Sequence, residues 1–324
     1  MGKTTQYLSA SRIKTLENCS WLYWGKYHLK LPDTTNDGAI RGSICHLIFE
    51  CLLNKRHKKH FTAITKASDT NASPAVIRLI VKQLHQYEAF NEENYDMILE
   101  MILVGLNNDF YCKGKALGEA EKRFDLTNED PPYRIMGFMD KYAIDKKNST
   151  VSIVDYKSSK KKFRGEELES NAQAMMYSLA ARKLWPKVKR RIVDFLFLRF
   201  PRQPVQKLEF SDEQLRGFEF YLSHIHEQIN NFTEELAKTN YAADNPKVRW
   251  LCGPAKSGWI CPLHKPFDYY VLLDKSSRIV KTSHKKSELT LKKEHTIEER
   301  HYTGCPRFNG SGGSCSSMED PFDF

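Results

Sequence analysis

Long hydrophobic runs are missing from this chain. No stretch approaches the about eighteen uncharged apolar residues that a membrane-spanning helix needs, so no transmembrane segment is expected. The first residues, Met1 to Thr5, are polar and lack the apolar core of a secretory leader. A myristoylation signal would want Ser or Thr where Gln6 stands. There is no Gly-x-x-x-x-Gly-Lys-Ser/Thr phosphate loop, which excludes a built-in motor of the helicase type. No internal repeat is visible, and eight cysteines without a leader argue against a disulfide framework. These absences predict an intracellular protein in a reducing compartment, cytoplasm or nucleoid, without a membrane partner.

What is present is a globular composition. The chain has 324 residues, 40% of them hydrophobic and 12% aromatic, enough for two domains or one elaborated domain. Fifty Lys and Arg against 40 Asp and Glu leave a formal charge of +10, a lean toward a polyanionic partner such as nucleic acid.

Periodicity divides the chain into four segments. Residues 1–118 read as helical, with a serine-capped start near Ser9 and apolar spacing around Val76 to Ile80 and Met97 to Ile102. Residues 119–245 read as strands at 119–126, 133–144 and 151–157, a helix at 167–184, strands at 192–200 and 206–210, and a helix at 211–238. Residues 246–308 are rich in Cys, Trp, Gly and charge, with one hairpin at 269–279. Residues 309–324 are a Gly/Ser linker ending in acids and phenylalanines. The expected class is α/β, with a helical preface and a Cys-containing C-terminal extension.

The chemistry concentrates at Asp155 and Lys157, which end the β-branched run from Val151. Residues two apart in a strand face the same side, so an anionic ligand and a fixed cation would stand together. Asp140 is a second carboxylate upstream. Two carboxylates able to hold a hard divalent cation, with a lysine beside them, suit metal-assisted phosphodiester hydrolysis. Read alone, the same pair could be a surface ion pair on an edge strand. Lys160 to Arg164 directly follows as a basic run, either a solvated loop or a set of phosphate contacts.

The ordered set His46, Glu121, Gly137-x-x-Asp140, Asp155-x-Lys157 and Gln173-x-x-x-Tyr177 resembles the PD-(D/E)XK nuclease superfamily, and within it the RecB/AddB branch. The resemblance runs over residues 8–200 and implies a restriction-endonuclease-like core, a mixed central sheet flanked by helices. It implies that Glu121, Asp140, Asp155, Lys157, Gln173 and Tyr177 are catalytic, and that His46, Asp140 and Asp155 hold Mg²⁺ or Mn²⁺. Glu119 competes with Glu121 for the first acidic position.

Cys19, Cys252, Cys261 and Cys305 form a second candidate site. In some relatives of that branch one N-terminal and three C-terminal cysteines hold a [4Fe–4S] cluster, and four thiolates suit one. Cys261 and Cys305 are farther apart than the usual tight spacing. A zinc site on Cys252, Cys261, Cys305 and His264 is the rival, and buried thiols without metal the third reading. Cys45, Cys51 and Cys112 read as core residues and Cys315 as idle in the tail.

The resemblance therefore predicts a metal-dependent deoxyribonuclease, an exonuclease of recombination, repair or replication. The alternatives are a structure-specific endonuclease and a catalytically silent DNA-binding scaffold. The tail could dock a replication or recombination protein, fold back onto a basic groove, or only aid solubility.

Overall fold

The β-branched run that ends in Asp155 and Lys157 becomes the middle of a five-stranded sheet. We describe the protein from a computed structural model, which defines residues 6–33, 36–254 and 260–309. The chain divides into two compact units: Met1–Ala10 with Thr35–Asn230, and Ser11–Thr34 with Asn231–Phe324.

The strands of the first unit are β1 (Ala116–Leu117), β2 (Lys122–Glu129), β3 (Pro132–Met139), β4 (Lys141–Asp145), β5 (Thr150–Lys157), β6 (Arg190–Phe197) and β7 (Val205–Leu208). The main sheet has the order β1-β4-β5-β6-β7, with β5 and β6 parallel and the other neighbours antiparallel. Strand β5 is buried from Thr150 to Tyr156, which explains its continuous apolar and β-branched sequence: both faces are covered. The helix Ala172–Leu184 makes the crossover that parallel pairing of β5 with β6 requires.

The expected single strand 133–144 is in fact two. Strand β3 pairs with β2 in a separate hairpin, while β4 pairs with β5 in the main sheet. The chain changes sheets at Asp140, the one residue between them. Periodicity misses this break because apolar residues continue on both sides of it. The predicted helix 167–184 likewise resolves into Glu166–Glu169 and Ala172–Leu184, the second capped by the Asn171 side chain. The helix expected at 211–238 stops at Asn230, and a short turn Glu234–Ala237 starts afresh on a Thr233 cap.

The helical preface, Asp37–Leu53, Lys58–Ala67, Pro74–Gln86 and Glu92–Leu106, shares one core with the sheet. Ile44, Ile48 and Phe49 meet Ile98 and Ile102 there, against Val154, Tyr156, Leu196 and Leu198. Val154 and Tyr156 therefore use one face of β5 for packing, which leaves Asp155 and Lys157 to the other.

The second unit contains the helix Ala10–Asn18, the turn Ser20–Tyr23 and a three-stranded sheet. Its strands are β8 (Phe267–Leu273), β9 (Ile279–Ser283) and β10 (Thr296–Tyr302), in the order β10-β8-β9. The expected hairpin is thus extended by a third strand. Trp21 Nε1 donates to the Tyr302 hydroxyl at 2.7 Å, and that hydroxyl donates to the Leu263 carbonyl at 3.1 Å, so the N-terminal segment is fixed to this sheet. The acidic tail and Cys315 lie outside the described residues. No helix among the described residues is long and apolar enough to cross a membrane.

Candidate active site

Asp140 is placed by the sheet switch and held by the neighbouring strand. Its Oδ2 accepts from the backbone N–H of Tyr156 at 2.7 Å, and its own carbonyl accepts from the Glu121 N–H at 3.1 Å. Glu121 stands just before β2 rather than within it, with a left-handed φ of 50°. A non-glycine residue there carries backbone strain, a feature that clusters at functional sites. Glu119, the competing acid, points to Lys122 at 2.5 Å and is mostly exposed.

His46 comes from the helix Asp37–Leu53. Its Nδ1 lies 3.3 Å from Asp140 Oδ1 and 3.9 Å from Glu121 Oε1. Its Nε2 lies 3.1 Å from the Tyr156 carbonyl, which accepts if that nitrogen carries the proton. Such a bond leaves the Nδ1 lone pair for a ligand. Gly42, one turn earlier, lets this helix approach β5: a Cβ on it would stand 2.7 Å from Ser158 Oγ.

His46, Glu121 and Asp140 bring their donor atoms within 4.8 Å of one another, the spacing of a common cation. Burial alone would lower the His46 pKa, but hydrogen bonds to Asp140 and Glu121 and the charge of Asp155 outweigh it and raise it. Burial first, and then the Asp155 charge, raise Asp140. These groups hold protons more tightly than each would alone, as expected of a site built for positive charge. Glu50 lines the same open cleft, with His46 and Glu121. It belongs to none of the motifs legible in the sequence, although its i+4 spacing from His46 is a helical-face signal.

Asp155 is 3% exposed and anchors a second network. Its Oδ1 accepts from Gln173 Nε2 at 2.7 Å and from the Tyr177 hydroxyl at 2.8 Å. The Tyr177 hydroxyl is also 2.8 Å from the Phe138 carbonyl, so its single proton serves one acceptor at a time. Lys157 Nζ donates to Gln173 Oε1 at 2.7 Å and stands 2.6 Å from Asp155 Oδ2. That second contact is a close charge pair, so the Lys157 ammonium bridges the Asp155 carboxylate and the Gln173 amide oxygen. Gly137 belongs to the same construction. A Cβ there would meet the Phe124 ring at 2.6 Å, and Phe124 stacks edge-on against Tyr177.

The first unit thus brings together all of His46, Glu121, Asp140, Asp155, Lys157, Gln173 and Tyr177. The converging donors, two carboxylates and one imidazole with Asp155 close by, suit a divalent cation.

In the second unit, Cys19, Cys252, Cys261 and Cys305 line one cavity with His264 and Tyr241. Their order in sequence gave no hint of their backbone ties: Cys261 N–H donates to the Cys252 carbonyl at 3.2 Å, and Cys305 N–H to the His264 carbonyl at 3.4 Å. Burial pushes the Cys261 thiol up to about 12 and the Cys305 thiol to about 11. Among the described residues, no three donors of this set lie within 4.8 Å of one another. A mononuclear zinc site needs tighter convergence, with Zn–S near about 2.3 Å.

The class defined by this fold and site is a nuclease, with an acidic cluster able to hold a metal ion. Residues 7–262 match the family described as the PD-(D/E)XK nuclease superfamily, and the chain belongs to it. None of the curated proteins is similar enough in sequence to be matched. Among solved structures, one from Eubacterium rectale, described as a "Putative exonuclease", is similar with a TM-score of 0.48 and 12% identity. The similarity covers 78% of this chain and 90% of that one.

Proposed function

We propose that this protein is a divalent-metal-dependent deoxyribonuclease of the RecB/AddB type, acting as an exonuclease in recombination, repair or replication. The observation that carries the reading is the convergence of His46, Glu121 and Asp140, with donor atoms within 4.8 Å of one another, close to the buried Asp155–Lys157 pair. His46, Asp140 and Asp155 would hold Mg²⁺ or Mn²⁺, with Glu121 completing the set. Such a cation lowers the pKa of coordinated water and offsets the charge of the phosphate.

The chain's own residues do the rest. Lys157, held between Asp155 and Gln173, presents a fixed ammonium at the scissile phosphate and stabilises charge that develops on it. Gln173 is a positioning residue: its carbonyl oxygen holds the ammonium and its amide nitrogen holds the carboxylate. Tyr177 fixes Asp155 from the other side. A silent scaffold would have no use for this arrangement of a buried acid, a lysine and an orienting amide. For the cysteine cavity we propose a [4Fe–4S] cluster, with zinc as the rival.

The test is incubation with end-labelled linear and circular DNA, single- and double-stranded, with Mg²⁺, Mn²⁺ or EDTA. Release of mononucleotides or short oligonucleotides from ends, only with metal, is expected. Cleavage of closed circles would move the assignment to an endonuclease, and no cleavage of any DNA would remove it.

A further inference from the structure

Two loops leave the C-terminal ends of the parallel strands β5 and β6, beside Lys157. Residues 158–165 carry Lys160, Lys161, Lys162 and Arg164, and residues 198–204 carry Arg199 and Arg202. Neither loop contains an acid; Glu166, Glu167 and Glu169 begin only after the turn at Gly165, whose φ is 53°. Lys160, Lys161, Arg164 and Arg202 are exposed and make no ion pair among the described residues.

A basic run is ordinarily a solvated face. These loops are built differently, because they are fixed to each other and to the sheet. The Gln206 side chain on β7 makes two bonds to the backbone of Phe163, accepting from its N–H and donating to its carbonyl, each at 3.1 Å. The Phe163 ring packs edge-on against Phe195 and Phe197 of β6, with centroids 4.9 and 5.3 Å away. Lys162 donates to the Gln203 carbonyl of the second loop and lies over the Phe200 ring at 5.2 Å. Phe163 and Lys162 thus point inward and tie the loops, while their neighbours point outward as cations. Holding like charges together in fixed positions costs energy unless a polyanion neutralises them. The C-terminal end of parallel strands is also where ligands collect in open α/β sheets.

We propose that the two loops form a preorganised clamp for the backbone phosphates of one nucleic-acid strand, next to the scissile phosphate. The proposal rests on the nuclease reading for its ligand class and deepens it. Gln206 is a positioning residue of the clamp, and Lys160, Lys161, Arg164 and Arg202 are its phosphate-binding cations.

The experiment has separate arms. Fluorescence anisotropy with a labelled single-stranded DNA oligonucleotide in EDTA reads binding without cleavage. Replacing Lys160, Lys161, Arg164 and Arg202 together by Gln is expected to weaken binding at least about tenfold at 0.1 M salt, to order of magnitude. The slope of log affinity against log salt should flatten by about 0.7 for each phosphate that the variant no longer neutralises. Gln206→Leu keeps every charge but loosens the loop, and should weaken binding without that flattening. Thymidine 5′-(p-nitrophenyl phosphate) is too short to span the clamp, so with Mn²⁺ both variants should lose less of its hydrolysis than of DNA binding, and an equal loss of both would overturn the clamp. Unchanged affinity and salt slope in the fourfold variant would overturn the clamp. If wild type hydrolyses neither the ester nor DNA, the nuclease reading fails while the anisotropy arm still decides the clamp. Should the fourfold variant melt lower than wild type, Lys161→Gln and Arg202→Gln singly give the same slope test.

Discussion

The carboxylate site of the first unit and the thiol cavity of the second hold their donors in opposite ways. Asp140 and Asp155 accept backbone or side-chain hydrogen bonds at 2.7–2.8 Å from a strand and a helix that are themselves largely buried. The four thiols reach their cavity from segments around residues 19, 252, 261 and 305, and burial raises the pKa of three of them, Cys252, Cys261 and Cys305. One site is organised by the fold around it. The other joins segments distant in sequence and gains its reason for joining them from whatever the sulfurs bind. The first should therefore lose activity when altered and keep its fold, and the second should lose stability.

The largest effect is expected at the first site. Asp155→Asn keeps the shape of the side chain and its bonds to Gln173 and Tyr177 while removing the charge. Both Asp155→Asn and Lys157→Ala should lower cleavage of DNA by several orders of magnitude, as loss of a metal ligand or principal charge stabiliser does. Circular dichroism and thermal melting should remain near wild type. Wild-type-like turnover by purified Asp155→Asn would end the assignment of this site.

At the second site the expected loss is of stability. Binding free energy at a structural metal centre is folding free energy, roughly 10 kcal/mol or more for the best-measured thiolate sites. Cys261→Ser, or chelation under anaerobic conditions, should lower the melting temperature by about 10 °C or more. Brown protein with iron and sulfide in equal amounts would establish the cluster, and colourless protein with one zinc would establish the rival. Elemental analysis without metal, with Cys261→Ser melting like wild type, would break the comparison between the two units.

The same contrast governs what was legible in the sequence. The stretch from Val151 to Lys157 announced a buried strand with two polar residues on one face, because β-branched residues at period two leave little alternative. The motif order then placed Asp140, Gln173 and Tyr177 around it. The switch of sheets at Asp140 was hidden, since a strand and its continuation into another sheet share one apolar pattern. Strand β10, with its sequence Thr-Ile-Glu-Glu-Arg-His-Tyr, was hidden for another reason: most of its side chains are exposed, and charge suggested a loop. Glu50 was missed because an acid on a helix is ordinary until a neighbouring strand supplies Glu121. The meeting of four cysteines in one cavity does not follow from spacings of 233, 9 and 44 residues (19 to 252 to 261 to 305), and only the family resemblance singled out these four.

Gly137 tests whether the first site is as tightly built as the comparison says. A methyl group there would stand 2.6 Å from the Phe124 ring, and that ring packs on Tyr177, which holds Asp155. Gly137→Ala should destabilise the protein by about 1–3 kcal/mol, the usual range for overpacking. It should lower kcat more than KM, because the displacement reaches Asp155 through Tyr177. Denaturant melts and steady-state kinetics measure both. A neutral variant would show that the hairpin moves freely relative to the site.

The smallest expected effect has the opposite sign for stability. Glu121 holds a left-handed φ of 50° and places its carboxylate with that of Asp140 around His46. The left-handed region costs an L-residue roughly 1–2 kcal/mol, and glycine avoids most of that while giving back some in chain entropy. Glu121→Gly should therefore raise stability by about 0.5–1 kcal/mol, the backbone gain exceeding the loss of its 3.9 Å contact with His46. Cleavage should fall in the same variant, since the third carboxylate is gone. Glu121→Gln separates the causes: it keeps the strained backbone, so it should lose activity without the gain in stability. Urea melts of both variants, alongside cleavage assays with Mn²⁺, measure the two quantities. A Glu121→Gly protein less stable than wild type would mean that the residue is held there for folding, and the division between an activity-bearing and a stability-bearing site would fail at its most sensitive position.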